Sequence, residues 1–308
     1  MQRIYLIPLI LLFALNCNNT SDSGNDNNPA GFETPLNPYL QFGEYWYKGE
    51  AELSTYTLQQ ARYGEIREGI AILIQVTEPF DHKQMVKADQ PDHDSKHIQN
   101  VLKYNLIKRF TTGIYDYSQM MSVFTALEAE FVPASYKVAY SNQDWCGQYY
   151  TEMLNEKKAL KVSHSSYFST TPQKPYSLNK AYLEDELFNL IRINPTSLPQ
   201  GEIIMIPGMM ASEMIHQSIE EQEVEVTLSD RADNATQYAY AVVYKEVPRR
   251  LTIFFDKQPP YIIRGWEEVT TSGGKQMRNK AELQKQLWTP YWNQNAVKDE
   301  SLRKQLGL

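Results

Sequence analysis

A chain of 308 residues with 37 acidic against 30 basic side chains, net charge −7 and no long basic run argues against nucleic acid as a partner. Its two cysteines exclude a disulfide scaffold and a Cys-rich zinc site. Hydrophobic residues make up 42%, enough for a real core, and 21 tyrosines lead the aromatics, which suits a β-rich protein outside the cytoplasm.

The chain opens Met1-Gln2-Arg3, runs apolar over 4–15 with Pro8 as the interruption, and reaches Asn16-Cys17. A basic start, an apolar run and a processing point predict a signal peptide over 1–16. The run is shorter than the roughly 20 residues of a membrane span. Its terminal cysteine predicts lipidation at Cys17, although Asn16 stands where a lipoprotein box has a small residue. Two or more lipid chains on one cysteine anchor stably. The polar stretch 17–38 then reads as a disordered tether.

Strand signals begin at 42–60, rich in Tyr, Trp and Thr, and continue where Ile70, Ile72, Ile74 and Val76 alternate, with Gly69 as a turn or bulge. The charged, proline-bearing stretch 78–99 reads as a surface excursion. Strands follow at 101–112 and 114–125 around Gly113, then at 136–140, 145–154 and 159–168 between polar turns. One helix interrupts near 180–193: Leu183, Leu187, Leu190 and Ile191 form one stripe, Asn179 is the expected N-cap and Pro195 ends it. Strands resume at 202–206, 222–228, 236–245, 251–255 and 261–269. After the flexible joint 270–274, helices are expected at 279–288 and 297–306, the first because Asn279 and Glu282 have capping-box spacing.

The expected fold is α+β, mostly β: a large curved antiparallel sheet, open and barrel-like, packed on one central helix, with short C-terminal helices. The β-rich domain is placed at 39–274 and a helical segment at 275–308.

The stretches 42–69 (FGEYWYKGEAELSTYTLQQARYGEIREG), Asp144-Trp145-Cys146-Gly147-Gln148, His164-Ser165-Ser166-Tyr167-Phe168 and 187–203 (LFNLIRINPTSLPQGEI) give the mature chain a resemblance to a Bacteroidetes, flavobacterial-type envelope lipoprotein family. Chains of that kind are sometimes labelled septum formation inhibitor Maf. The Ser-rich, Arg-containing motif of true Maf nucleotide pyrophosphatases is absent here. The resemblance implies a membrane-anchored envelope protein and carries no activity or cofactor with it.

Chemistry-bearing residues are few. Cys146 and His164, eighteen positions apart, would meet on adjacent strands as a thiol–imidazole pair; the competing reading is a buried cysteine acting as a small hydrophobe and a histidine bonded to a neighbouring strand. His93 and His97 would share a helix face for a divalent ion, against a plain solvated loop. Tyr45, Trp46, Tyr47 and Trp145 could line a concave face for a glycan or an acyl chain, against ordinary strand packing. No phosphate-loop, dinucleotide or serine-hydrolase motif is present, so no cofactor is expected.

The expectation is a non-catalytic lipoprotein of the cell envelope, on the outer membrane facing the periplasm, that binds a lipid, an envelope polymer such as a glycan, or an envelope protein. Alternatives are a Cys146/His164 hydrolase acting outside the cytoplasm and a structural or assembly role through the C-terminal segment. Metabolic labelling with a palmitate analogue should mark the wild type and not Cys17→Ala; equal labelling would refute the anchor.

Overall fold

The structure, a computed structural model, describes residues 38–91, 95–129, 131–169, 171, 174–272 and 274–308. The expected leader, Cys17, most of the tether and His93 lie outside the described residues. The first half of the body holds α1 (Pro38–Trp46) and strands β1 (Ala51–Arg62), β2 (Glu65–Asp81), β3 (Val86–Lys87), β4 (Ile98–Thr112) and β5 (Tyr115–Ala126). It continues through β6 (Ser135–Gln143), β7 (Gln148–Asn155), β8 (Leu160–Ser166) and β9 (Tyr176–Leu178). The second half holds β10 (Tyr182–Leu183), α2 (Leu187–Ile193), β11 (Gly201–Ile206), α3 (Met209–Met214), β12 (Gln222–Arg231) and β13 (Asn234–Tyr244). It ends with β14 (Arg249–Asp256), β15 (Ile263–Ser272), β16 (Lys275–Thr289) and α4 (Ser301–Gln305).

Among the described residues these 16 strands make one sheet, mostly antiparallel between chain neighbours. The last strand pairs with the first: β16 lies beside β1, from Ala51 opposite Thr289 to Gln59 opposite Lys280. The ring of neighbours is therefore complete except between β9 and β10, so the sheet is not closed into a barrel. Only 179–181 join those two edges. Four Cα steps span at most ~14 Å, which forces the sheet to roll until its edges nearly meet. No helix of the described residues is long and apolar enough to cross a membrane.

Alternation fixes which side faces inward. On β12, Val224, Val226 and Leu228 are buried while Glu223, Glu225 and Thr227 are exposed. On β4, Leu102, Tyr104, Leu106, Lys108 and Phe110 share the inner face. One continuous core runs from Tyr56 on β1 through Tyr140 on β6 and Tyr240 on β13 to Ala281 on β16, with Leu187, Phe188 and Ile191 of α2 inside it. The rolled sheet is thus filled by its own side chains, by α2 and by Met209 and Met210 at the start of α3.

The fold corrects four local expectations. Residues 279–288, expected as a helix, belong to β16. Their Ala, Glu, Gln, Leu and Lys favour helices, but pairing along both edges, with β1 and β15, overrides propensity. The expected strand at 42–46 is the end of α1, which Pro38 starts at a position where its fixed φ suits a helix. The central helix is shorter than 180–193, since Tyr182 and Leu183 pair with β11 and the α-helix begins at Leu187. The expected helix at 297–306 is present as a single 3-10 turn followed by α4. Gly69 is no turn: it sits inside β2, where a Cβ would come within 2.4 Å of the Arg109 carbonyl oxygen.

Polar residues of α2 hold it in place. Arg192, fully buried, clasps Glu52 of β1 through two 2.6 Å bonds and also donates to the Gln75 side chain (2.7 Å) and the Pro260 carbonyl (2.8 Å). Its plane lies 4.8 Å from the Trp46 ring centre. Burial alone would raise the Glu52 pKa, but the guanidinium holds it below the ordinary carboxylate range. Asn189 donates to the Leu102 carbonyl (2.8 Å) and Thr125 (2.9 Å) and accepts from Gln75 (3.3 Å). Removing one partner leaves the other charge buried and unpaired, which costs about 3–5 kcal/mol. Arg192→Met should therefore lower the urea-unfolding free energy by about that much, and Arg192→Met/Glu52→Gln should recover part of it. A loss below about 1 kcal/mol in the single variant would contradict this role.

Candidate functional site at the mouth of the rolled sheet

Two of the hollows among the described residues are lined from the inner face of the sheet. The inner one, about 90 Å³, lies among Lys108, Asp185, Arg249, Trp266, Glu268 and Gln60. Arg249 is bidentate to Glu184 and donates to Glu268 at 2.5 Å, while Asn279 donates to the other Glu268 oxygen at 2.8 Å. Burial pulls the Lys108 ammonium down and pushes Asp185 up to about 7. Asp185 accepts the Met209 N–H (3.0 Å), so α3 hangs from it. The volume suits about three waters, and the charges are internally balanced.

The outer hollow is far larger, about 650 Å³, and opens at the end of the sheet where β1, β5, β7, β8 and β9 meet. Residues 212–220, from α3 onward, form its floor. Its walls carry Arg62, Tyr63, Tyr117, Tyr149, His164, Phe168 and Tyr176. The floor is pinned from several strands: Tyr140 (3.1 Å) and Asn142 (3.4 Å) donate to Glu213, Arg62 donates to the Met214 carbonyl (2.8 Å), and Tyr176 donates to the Ile219 carbonyl (3.2 Å). Burial raises the Glu213 pKa.

Tyr63 and Gly64 both take positive φ, +54° and +77°, as a two-residue hairpin of primed type demands. An aromatic residue in the left-handed region is strained, and His216 on the floor is held likewise at +55°. The Tyr63 hydroxyl lies 2.9 Å from that of Tyr117 and accepts from Tyr115 (3.3 Å). Burial would raise its pKa, but these bonds and the Arg62 guanidinium bring it below the ordinary phenol value.

His164 lies on the inner face of β8. Its Nδ1 is 2.7 Å from the Thr151 hydroxyl and its Nε2 is 3.3 Å from the Tyr176 hydroxyl. Because Tyr176 donates its own proton to Ile219, its oxygen accepts Nε2–H, and Nδ1 accepts from Thr151. Burial lowers the imidazole pKa, which agrees with a neutral ring.

Cys146 also borders this hollow, so the two residues paired in the sequence reading do share a site. The cysteine is neither buried nor in a strand. It is exposed in the β6–β7 turn, whose Asp144 carboxylate accepts the Cys146 N–H (2.6 Å) and the Gly147 N–H (3.1 Å). Both ring nitrogens of His164 are engaged, Nδ1 with the Thr151 hydroxyl and Nε2 with the Tyr176 hydroxyl. His97 is exposed and packs edge-on against His82, and no metal-holding cluster occurs among the described residues.

Tyr45, Trp46, Tyr47 and Trp145 form no common ligand face. Trp46 is buried beneath Arg192, Tyr45 donates to Glu52 at 2.5 Å, and Tyr47 and Trp145 are exposed. Arg62, Tyr63, Tyr117, Tyr176, Glu213 and His216 were not singled out from sequence. Alternation at Tyr115 and Tyr117, and an aromatic directly before Gly64, are the signals that point to two of them.

No family model, curated protein or solved structure matches this chain.

The raised carboxyl of Asp185 fixes the sign of one pH effect. Unfolded, the group ionises near 3.8; folded, near 7. Its stabilising contribution is complete below the unfolded value and is lost as pH rises through the folded one. Glu186, also pushed up to about 7 by burial, acts in the same direction. Thermal or urea unfolding should show stability falling from pH 5 to pH 8, and Asp185→Asn should reduce that fall by about 1–2 kcal/mol. An identical pH profile in the variant would contradict it.

Proposed function

We propose that this protein is a membrane-anchored, non-catalytic lipoprotein of the cell envelope that binds saccharide units of an envelope polymer in the cleft at the mouth of its rolled sheet. The observation that carries the reading is the contrast between the two hollows. The sheet interior is packed and leaves about 90 Å³, too little for an acyl chain, while the mouth offers about 650 Å³, within the ordinary size of small-ligand sites.

The lining suits sugar rings. Tyr63, Tyr149, Tyr176, His164 and Phe168 supply flat apolar faces, and Arg62, Glu213 and the phenol hydroxyls supply hydrogen bonds beside them. Rings held by mutual hydrogen bonds lose little freedom on binding. The leader pattern, Cys17 and the resemblance to flavobacterial-type envelope lipoproteins support the anchored, extracytoplasmic setting. The engaged nitrogens of His164 weigh against the hydrolase alternative.

Isothermal titration with soluble peptidoglycan fragments and chitotetraose tests the reading. Wild type should bind at least one of them, Tyr149→Ala and Tyr176→Ala should weaken that binding at least tenfold with near-UV circular dichroism unchanged, and Tyr176→Phe should retain most of it. No heat with either saccharide class, or unchanged affinity in both alanine variants, would sink it.

A further inference from the structure

At the mouth, four successive connections along the sheet each expose a large apolar or aromatic side chain. Tyr63 at the β1–β2 turn is 61% exposed, Ile114 at β4–β5 is 82%, Trp145 at β6–β7 is 71%, and Tyr167 just beyond β8 is 77%. At the far end the turns read Glu156-Lys157-Lys158 after β7, Arg231-Ala232-Asp233 after β12, and Asp256-Lys257-Gln258 after β14. Phe131 and Val132, between β5 and β6, are exposed there, as are Tyr47 before β1 and Val86 of β3.

The tips at the mouth are also held stiffly. Asp144 fastens the turn that carries Trp145. The Tyr167 ring lies over Gly147, so close that a Cβ there would meet it at 3.0 Å. Tyr63 is tied by its hydroxyl to Tyr117. A hairpin tip such as Gly113-Ile114 gains nothing for the fold from a bare isoleucine, since Asn, Asp or Gly serve the turn better.

Hairpins two strands apart sit about 10 Å from one another. Four knobs at that spacing form a broken row some 30 Å long rather than a continuous face. A protein partner needs close complementarity over such a distance. A fluid lipid layer flows around each knob, and Trp and Tyr favour the headgroup level of such layers. Ile114 has no ring to stack on a sugar and no donor, which sets this rim apart from the saccharide cleft it surrounds. The chain joins the sheet at the far end, through α1 and Ala51. From Cys17 to Pro38 the chain reaches at most about 70 Å, against about 40 Å for the twelve residues of β1, so the anchor site does not prevent the mouth from meeting a membrane.

We propose that the rim formed by Tyr63, Ile114, Trp145 and Tyr167 rests on a lipid leaflet, with Ile114 and Trp145 entering the boundary between headgroups and acyl chains. Tyr63 belongs to both the rim and the cleft wall, so the leaflet and a saccharide compete for this end of the sheet.

Phe32–Leu308 forms a compact unit on its own, and it lacks both the leader and Cys17, so it tests the rim without an anchor. It should co-sediment with phosphatidylethanolamine/phosphatidylglycerol vesicles. Its tryptophan emission should shift to the blue and be quenched by acyl chains brominated near the headgroup, and Trp145→Phe should remove that component. Ile114→Asn/Trp145→Ser/Tyr167→Ser should bind at least tenfold more weakly with the same melting temperature, while Phe131→Ser/Val132→Ser at the far end should bind as wild type does. Absence of wild-type vesicle binding, an unquenched Trp145, or equal loss in the far-end variant would overturn the proposal. The quenching readout uses the unaltered rim, so it decides the matter even if the triple variant fails to fold.

Discussion

The Arg192–Glu52 clasp is the contact on which the rest of the molecule depends. It joins the one buried α-helix to the first strand of the sheet, across 140 residues of chain, and every N–H of the guanidinium has an acceptor. A charge taken this far from water survives only where all its hydrogen bonds are met. That requirement fixes the positions of α1, β1, β2, α2 and the Pro260 loop relative to one another. With α2 so placed, the inner faces of the strands close around it and the interior fills.

Filling decides where anything else can be accommodated. A sheet of this size could enclose a ligand chamber, but here tyrosines, leucines and the helix occupy that space, and the residual hollow holds balanced charges. The segment 207–221 then folds back over the end, pinned by Asp185, Tyr140, Asn142, Arg62 and Tyr176. What remains is a shallow site above a solid body, walled by strand ends. The strained backbone at Tyr63 and His216 is concentrated there, and neither residue is needed to hold the core.

Most strands were legible because one face of each is buried and the other wet, which writes period two into the sequence. The exceptions have physical causes. In β16, inward positions such as Asn279 and Ala281 alternate with long polar residues that also suit a helix, and its close approach to β15 rests on Gly265, where a Cβ would lie 2.3 Å from the Ala281 carbonyl oxygen. Only the pairing of distant strands discloses that. Arg192 was read as part of a helix whose apolar stripe was plain, while its ion pair depends on residue 52. The cleft was half legible: Cys146, His164 and Tyr149 sit in the stretch that concentrates aromatics, but Arg62, Tyr117 and Glu213 come from elsewhere and meet only through the rolling of the sheet.

The seam between β9 and β10 has its own consequence. The two edge strands hold three and two residues, and Tyr176 and Leu178 of β9 also line the cleft. Short edges have few ladder bonds to break, so local opening costs least there. The sheet resembles a cuff whose two edges are joined only by residues 179–181. Loosening at 176–183 widens the mouth while β1, β16 and the clasped helix stay locked, so under the proposed saccharide reading a long polymer would lie across the gap instead of ending inside the cleft.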